Sequence, residues 1–558
     1  MGAGHCPLGV LGGANILETG HGPPALVNAE TVPLKPETVV SRAKSLSIAI
    51  PTATFLAYLT TGVILDAGLV DDSYIFLRYA DNLASGHGLV FNIGDRVEGF
   101  TSPLWAVCLG IVGFLNLDLV LACEVLGIFF GLAAILALFF LGRSHLSSQH
   151  GALVLCALML FLATNPSYVY WSWSGMDTAC FTFLLTASFL ALLQQAEGAG
   201  TMIRSGTWFS LAAVARLEML SLLPAFLLFI LYSNRGQKQL LWRKYVSFLG
   251  PLVSLPLLFV WRYHYYGALL PNTYYAKAGV AVGVLLESGL VYAARFALAY
   301  NLHLLGPLFL GALVLLRSSR RLRAQWGFAL AIMGMWTMCV VWVGGDHLAM
   351  FRFFVPILPL LAFLMASMVD RIAQSSDIRN RRTTIGASVL LTIALCGLNY
   401  SVYVFHEGKR ATGEVRLARS WAQVGQWFRD NAPRDATMAS AVVGAIPYYS
   451  GLTTYDLLGL TDSEVARHGD VYPQGRIGHQ KYCTDCILAR RPLYIVYHAS
   501  GLYDRPLWRR SQDIDRVYSY ALYDLANDER TKELYEYQAV KMDSEAYVEF
   551  LKLKGEDP

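Results

Sequence analysis

The sequence predicts a polytopic α-helical membrane protein of about eleven transmembrane helices, followed by a C-terminal soluble α/β domain. Three observations carry this. Apolar runs of membrane-spanning length recur between Ile48 and Tyr403. Only 15% of the 558 residues are charged, 55% are hydrophobic, and mean hydropathy is +0.43, whereas a soluble chain carries about a quarter charged residues. From about His406 onward charged residues return and no further span is evident.

Residues 1–44 are Gly/Pro-rich up to Pro36, lack a basic n-region or cleavage site, and read as a disordered cytoplasmic tail. Arg42 and Lys44 place that side inside, before a first span from Ile48 to Leu65. The segment Val70 to Trp105 is then an outer loop. Thr101 to Asn116 is apolar but short, and is expected to be interfacial or re-entrant. Spans follow at Leu119–Leu141, Gly151–Thr164 and Phe181–Leu193, with the aromatic-rich Asn165–Thr178 at an interface. Gly206 to Tyr232 is either one long helix or two short ones meeting at Arg216-Leu217-Glu218. Only two helices leave all three basic clusters (around Arg235, Arg320 and Arg381) on the inner side, so two are expected. The remaining spans are Tyr245–Trp261, Leu302–Leu316, Trp326–Val343, Phe354–Val369 and Thr384–Tyr403.

A transmembrane domain over 45–405, with a functional loop at 70–105, thus precedes an outer domain over 406–558. In the latter, strand-like Thr437–Val443 and Leu493–Tyr497 alternate with helix-like Leu417–Arg429 and Asp528–Tyr537. Cys483 and Cys486 could form a disulfide there; a lone CxxC supplies too few ligands for zinc. The net charge of +4 is spread as small clusters between spans, a topology signal that gives no support to a nucleic-acid partner.

This topology brings every polar, unusual segment to one face. The most distinctive is VDDSYIFLRYADNLASGHGLVFNIGDRVEGFTSPLW, Val70 to Trp105. It holds the pair Asp71-Asp72, then an amphipathic helix with Ile75, Tyr79 and Leu83 on one face and Arg78 and Asn82 on another. A Gly-rich loop with His87, Arg96 and Glu98 follows. Ionisable groups beside hydrocarbon are functional candidates. The bland alternative makes the two aspartates an N-cap of a helix starting at Ser73.

The run DD-x-Y-I-x-x-R-Y-A-x-N-L-x-x-G-x-G-L-V-F-N-x-G-x-x-V-E-G-x-T-x-P-L-W resembles the first extracytoplasmic loop of GT-C-type, polyprenyl-phosphate-dependent glycosyltransferases, and most of all the mycobacterial terminal arabinofuranosyltransferase group. The resemblance continues through LPNTYYAK, GGDHLAMFRFFVPILP, YDLLGLTDSEVAR and GHQKY. It implies a GT-C-like fold and transfer of a sugar, D-arabinofuranose, from a polyprenyl-phosphate donor to a cell-envelope glycan on the outer side of the bilayer. An Asp of this loop would be the catalytic base: Asp71 or Asp72, with Asp71 preferred. Such chemistry needs cations for the departing phosphate. Arg352 is the first choice, with Lys277, Arg216, Glu218, Asp346 and His347 as further donor contacts. Glu98, Asn272, Asp456 and His479 are the acceptor candidates. Each has a structural alternative: a turn role for Glu98, burial for Asp456 and His479, a self-satisfied Arg216–Glu218 pair, interfacial snorkelling for Arg352, loop bracing for Arg78, and a helix N-cap for Asp177. No metal ligand set is evident, although paired carboxylates could hold a divalent cation such as Mg, Mn or Ca. The competing readings are a lipid-linked glycan flippase, a GT-C transferase using another sugar or a protein acceptor, and a non-catalytic assembly partner.

Overall fold

The computed structural model describes residues 51–142, 158–196, 202–235, 238–302, 320–375, 386, 394, 397–498, 500–506 and 519–555. The N-terminal tail, the expected span Leu302–Leu316, the first half of Gly151–Thr164 and most of Thr384–Tyr403 lie outside them.

Five described helices are long and apolar enough to cross a membrane: Leu119–Phe140, Thr178–Gln195, Gln239–Tyr266, Val282–Ala299 and Arg320–Trp342. Shorter apolar helices occupy Pro103–Phe114, Leu217–Ser233 and Arg352–Met368. In chain order the bundle comprises α1 (51–64), α2 (Asp71–Ala84), α3 (Pro103–Phe114), α4 (Leu119–Gly142), α5 (Pro166–Trp173), α6 (Thr178–Ala196), α7 (Ile203–Ala215), α8 (Leu223–Ser233), α9 (Lys238–Leu249), α10 (Ser254–Tyr266), α11 (Asn272–Lys277), α12 (Val282–Ala299), α13 (Arg320–Trp342) and α14 (Leu358–Ser375).

The long apolar helices α4, α6 and α13 have little sequence amphipathicity because lipid is as apolar as the core, so close approach relies on small residues. A Cβ on Gly131 of α4 would lie 2.3 Å from the Tyr58 hydroxyl of α1 and 2.5 Å from Ser172 Oγ of α5. Only glycine lets the three helices meet there. The stretch Gly206–Tyr232 does break at Arg216, whose extended backbone (φ −147°, ψ 119°) ends α7 before a 3-10 turn, Leu217–Leu222, leads into α8.

Three expectations need correction. The span expected at Tyr245–Trp261 is longer: α9 and α10 join through the turn Gly250–Val253 into one 28-residue apolar helix. The apolar α12 was not among the expected spans. Its contacts run from Gly344 (at Leu285) through Gly345 and Phe354 (at Tyr292) to Asn165 (at Tyr300). All of these lie at the loop end of the bundle, so α12 packs across that end. Third, α2 is not half-solvated: every residue from Ser73 to Ala80 is buried, Arg78 included.

The chain leaves the bundle without a linker. A π-helical turn, Val402–Glu407, continues directly into α15 (Gly408–Asn431). The domain beyond it has a five-stranded sheet in the order β2-β1-β5-β7-β6. Strands β1 (Thr437–Ser440), β2 (Thr453–Asp456) and β5 (Tyr494–Val496) are parallel, while β6 (Tyr535–Lys541) and β7 (Tyr547–Leu553) add an antiparallel edge. The helix expected over Asp528–Tyr537 stops at Leu534, and Tyr535 already begins β6. Between β2 and β5 sits a small hairpin of β3 (Asp470–Val471) and β4 (Lys481–Tyr482). Cys483 and Cys486 are disulfide-bonded.

The sheet domain seats on α2 through buried polar contacts. Arg78 donates to the carbonyls of Phe91, Leu452 and Pro447 and to Asn92 Oδ1. Asn92 in turn exchanges two bonds with Thr454. Arg78 therefore braces the loop, since a buried guanidinium must have its donors met.

Candidate active site

Asp71 and Asp72 form the first turn of α2, with Val70 as the N-cap and no side-chain cap bond. The capping alternative thus fails: the helix starts two residues earlier than it requires. Asp71 is held from outside the helix. Its carboxylate accepts from the backbone N–H groups of Gly444 (3.2 Å) and Ala445 (2.8 Å), at the start of α16 (Ala445–Ser450) in the sheet domain. A Cβ on Gly444 would sit 2.0 Å from the Asp71 carbonyl oxygen, so this approach demands glycine. Burial, opposed by the Ala445 bond and reinforced by Asp72, pushes the Asp71 carboxyl up to about 7.

Asp72 points the other way and keeps 37% of its side chain accessible in a cleft. Its carboxylate lies 3.7 Å from Arg352, which pairs with Asp346 at 2.7 Å. Its recessed position and Asp346 raise the Asp72 pKa, while Arg352 and Lys277 pull it down. Lys277, on the last turn of α11, opens into the same cleft; its recess and neighbouring Arg352 lower its pKa against Asp346, Asp72 and Glu218. Glu218 faces this cluster.

Arg352 is aimed by a strained turn. Met350 and Phe351, neither of them glycine, have φ of 59° and 49°, left-handed conformations that persist only when surroundings enforce them. The enforcement comes from the π-helical turn, α15 and α5. Glu414 accepts from Ala349 N–H (2.8 Å), Glu407 from Met350 N–H (3.3 Å), and Trp171 donates to the carbonyls of Ala349 and Met350. Arg410 donates to the His347 carbonyl (2.6 Å). The Arg352 guanidinium lies over the Trp171 ring at 5.4 Å.

The hairpin loop between β3 and β4 closes this assembly. Ile477 approaches Gly344, and Gly478 lies over the Lys277 side chain. Arg476 reaches the His347 carbonyl at 3.5 Å. The His479 ring meets His347 edge-on at 4.7 Å between centroids. Burial, then His479, Arg476, Arg352 and Lys277, hold the His347 pKa well below its usual value.

One cleft therefore gathers Asp72, Glu218, Lys277, Asp346, His347, Arg352 and His479 from the candidates, while Asp71 lies beside it with its carboxylate on the Gly444 and Ala445 amides. The others are engaged elsewhere. Glu98 forms a buried bidentate pair with Arg262 (2.6 and 2.8 Å; 2% and 0% exposed), so the structure gives it a core partner instead of a cleft-facing carboxylate. Arg216 is bidentate to Asp177 at 2.8 Å and not paired with Glu218. Asn272 donates to the carbonyls of Gly459 and Leu460, and the fully buried Asp456 accepts from Leu458 and Thr461 N–H. Among the described residues no three His, Cys, Asp or Glu side chains converge as a metal site. The charges of Asp72 and Asp346 face those of Arg352 and Lys277.

Sequence reasoning missed Gly444, Glu407, Glu414 and Arg476. Arg476 alone had a signal, three residues before the flagged His479; the others are ordinary residues in ordinary helices and loops.

Residues 409–545 match a family model described as a domain of unknown function, DUF8728. The chain is similar to the terminal β-(1→2)-arabinofuranosyltransferase of Corynebacterium glutamicum, 28% identical over 369 residues, covering 57% of this chain and 52% of that protein. Its counterpart from Mycobacterium tuberculosis is 28% identical over 281 residues, covering 45% and 42%. The chain thus spans about half the length of the curated relatives it matches. In three dimensions it is similar to ArnT from Cupriavidus metallidurans bound to undecaprenyl phosphate, with a TM-score of 0.59 at 13% identity over 92% of this chain and 100% of that one. The chain has a GT-C-type fold, and in sequence it is similar to terminal β-(1→2)-arabinofuranosyltransferases.

Proposed function

We propose that this multi-pass membrane protein is a glycosyltransferase that moves a sugar, D-arabinofuranose, from a polyprenyl-phosphate donor to a hydroxyl of a cell-envelope glycan at the extracytoplasmic membrane surface. One observation carries the reading: at the start of α2, Asp72 faces Arg352 and Lys277 across a cleft between an apolar bundle and a sheet domain, with Asp71 next to it. The names of the two sequence relatives support the sugar. The undecaprenyl phosphate in the ArnT structure supports a lipid phosphate.

In this reading Asp71, fixed by the Gly444 and Ala445 amides, takes the proton of the acceptor hydroxyl. A carboxyl with a pKa near 7 is suited to that task. The acceptor oxygen bonds to the anomeric carbon as the bond from that carbon to the phosphate oxygen breaks. The electron pair leaves with the polyprenyl phosphate, whose charge Arg352 and Lys277 receive. Asp72 and Asp346 hold those cations in place between turnovers. His347 and His479, on facing loops, border the sugar. The ionisable groups sit at the loop end of the bundle and not halfway along it, which favours transfer over transport.

The test uses purified protein with synthetic polyprenyl-phosphoryl arabinofuranose and a short arabinan acceptor. Asp71→Asn is expected to abolish transfer while leaving polyprenyl-phosphate binding intact; Asp72→Asn and Arg352→Gln are expected to weaken that binding. Retained transfer in Asp71→Asn removes the assigned base. Failure of the wild type to bind polyprenyl phosphate removes the whole reading.

A further inference from the structure

The end of the bundle remote from the cleft carries a second cationic site. α6 and α13 run away from the cleft, and Leu193 of α6 lies about 22 Å along the helix from Thr178, at 1.5 Å per residue. There the ends of α6 and α8 and the start of α13 border an open cavity of about 410 Å³. Arg235, Arg320 and Arg321 line it together with the apolar Leu193 and Phe229. Tyr232 stands between, with the Arg235 guanidinium 4.7 Å and the Arg320 guanidinium 5.6 Å from its ring centroid. No carboxylate is among the lining residues. Among the described residues neither Arg235 nor Arg320 has an ion-pair partner.

Arg235 and Arg320 are both exposed at the cavity mouth, where water and salt weaken their mutual repulsion without removing it. Here two guanidinium groups converge on one aromatic ring at the mouth of a cavity. The Tyr232 ring offsets part of the repulsion between the two like charges, and an anion bound between them would relieve the rest. The guanidinium fork matches phosphate oxygens. The apolar wall begins where membrane-spanning helices end, at the depth of lipid headgroups. We propose that this cavity binds the phosphate of an anionic membrane lipid, with Arg235 and Arg320 on the phosphate and Leu193 and Phe229 against the start of an acyl chain. The site is separate from the transfer cleft and does not depend on the reaction there.

The full chain in neutral detergent is titrated with dioleoyl phosphatidylglycerol and, separately, with dioleoylglycerol, which lacks the phosphate. Bound lipid is counted by native mass spectrometry. One phosphatidylglycerol is expected to be retained by the wild type and by Arg243→Gln, an exposed arginine of the same basic end that does not line the cavity. Affinity is expected to fall about tenfold or more in Arg235→Gln/Arg320→Gln, as for loss of two charge-assisted contacts. The single variants and Arg235→Lys/Arg320→Lys are run alongside, each first shown to keep the wild-type melting temperature, so that misfolding is not read as lost binding. An equal loss in Arg243→Gln would reduce the effect to general surface charge and overturn the site. Equal binding of dioleoylglycerol would overturn the role of phosphate. Displacement by glycerol 1-phosphate at matched concentration would keep the phosphate site but assign it to a soluble ligand; no displacement assigns it to lipid.

Discussion

Gly444→Ala tests how the sheet domain controls the proposed base. The added Cβ would lie 2.0 Å from the Asp71 carbonyl oxygen and 2.6 Å from both its carbonyl carbon and its Cγ. Ordinary contact is about 3.5 Å, so the two backbones must separate by more than about 1 Å. The Ala445 N–H, now 2.8 Å from the carboxylate, then leaves hydrogen-bond reach. Hydrogen bonds to charged groups contribute about 1.5–3 kcal/mol, and a 1 Å misplacement of a reacting group can cost about 10²-fold in rate. Overpacking of this kind destabilises by about 1–3 kcal/mol, small enough for the chain to stay folded. The expected result is a kcat about 100-fold below wild type, close to 2.7 kcal/mol in the barrier. Affinity for polyprenyl phosphate should stay within about twofold, because Arg352 and Lys277 lie on other elements. The assay pairs transfer kinetics with tryptophan quenching by polyprenyl phosphate, and a melting curve checks the fold. A folded Gly444→Ala protein with wild-type kcat would refute the idea that these amides fix the base.

Further outcomes follow from the same geometry. With the Asp71 carboxyl raised to about 7, transfer should rise with pH through that value and level off above it. Stability runs the opposite way: because the folded pKa lies above the carboxyl's ordinary value of 3.8, this group's contribution is largest below 3.8 and is lost as pH climbs through about 7; a flat rate profile between pH 5 and 8 would contradict the assignment. Arg262→Met leaves Glu98 buried without its partner and should destabilise by about 3–5 kcal/mol, whereas the double variant Glu98→Met/Arg262→Met should recover much of that loss in melting temperature. Reducing Cys483–Cys486, which closes a loop of separation 3, should lower stability by about 2 kcal/mol in the chain-entropy treatment while leaving polyprenyl-phosphate binding unchanged; lost binding would mean that the bridge positions the hairpin loop.

Hydropathy and charge by themselves determined that this chain spans a membrane, because each lipid-facing span must be written locally as an apolar run. They also determined that Gly206–Tyr232 breaks at Arg216, since basic clusters on both sides fix the parity of crossings. The motif Val70–Trp105 marked Asp71 and Asp72, and the Gly-Gly-Asp and Arg-Phe pattern marked Asp346 and Arg352. Local sequence could not say what those charges meet. Glu98 and Arg262 are 164 positions apart, Asp71 and Ala445 are 374 apart, and no periodicity encodes such pairs. The same limit hid the strained Met350–Phe351 turn, which is held by carboxylates on the π-helical turn and on α15. It also hid the orientation of α12, whose composition suits crossing a bilayer as well as lying across the bundle. Sequence named the groups that carry charge; tertiary structure decided which are neutralised in the core and which remain open to the cleft. The physical reason is that the cost of a buried charge is settled by its partner and its access to water, and both exist only once the chain is folded.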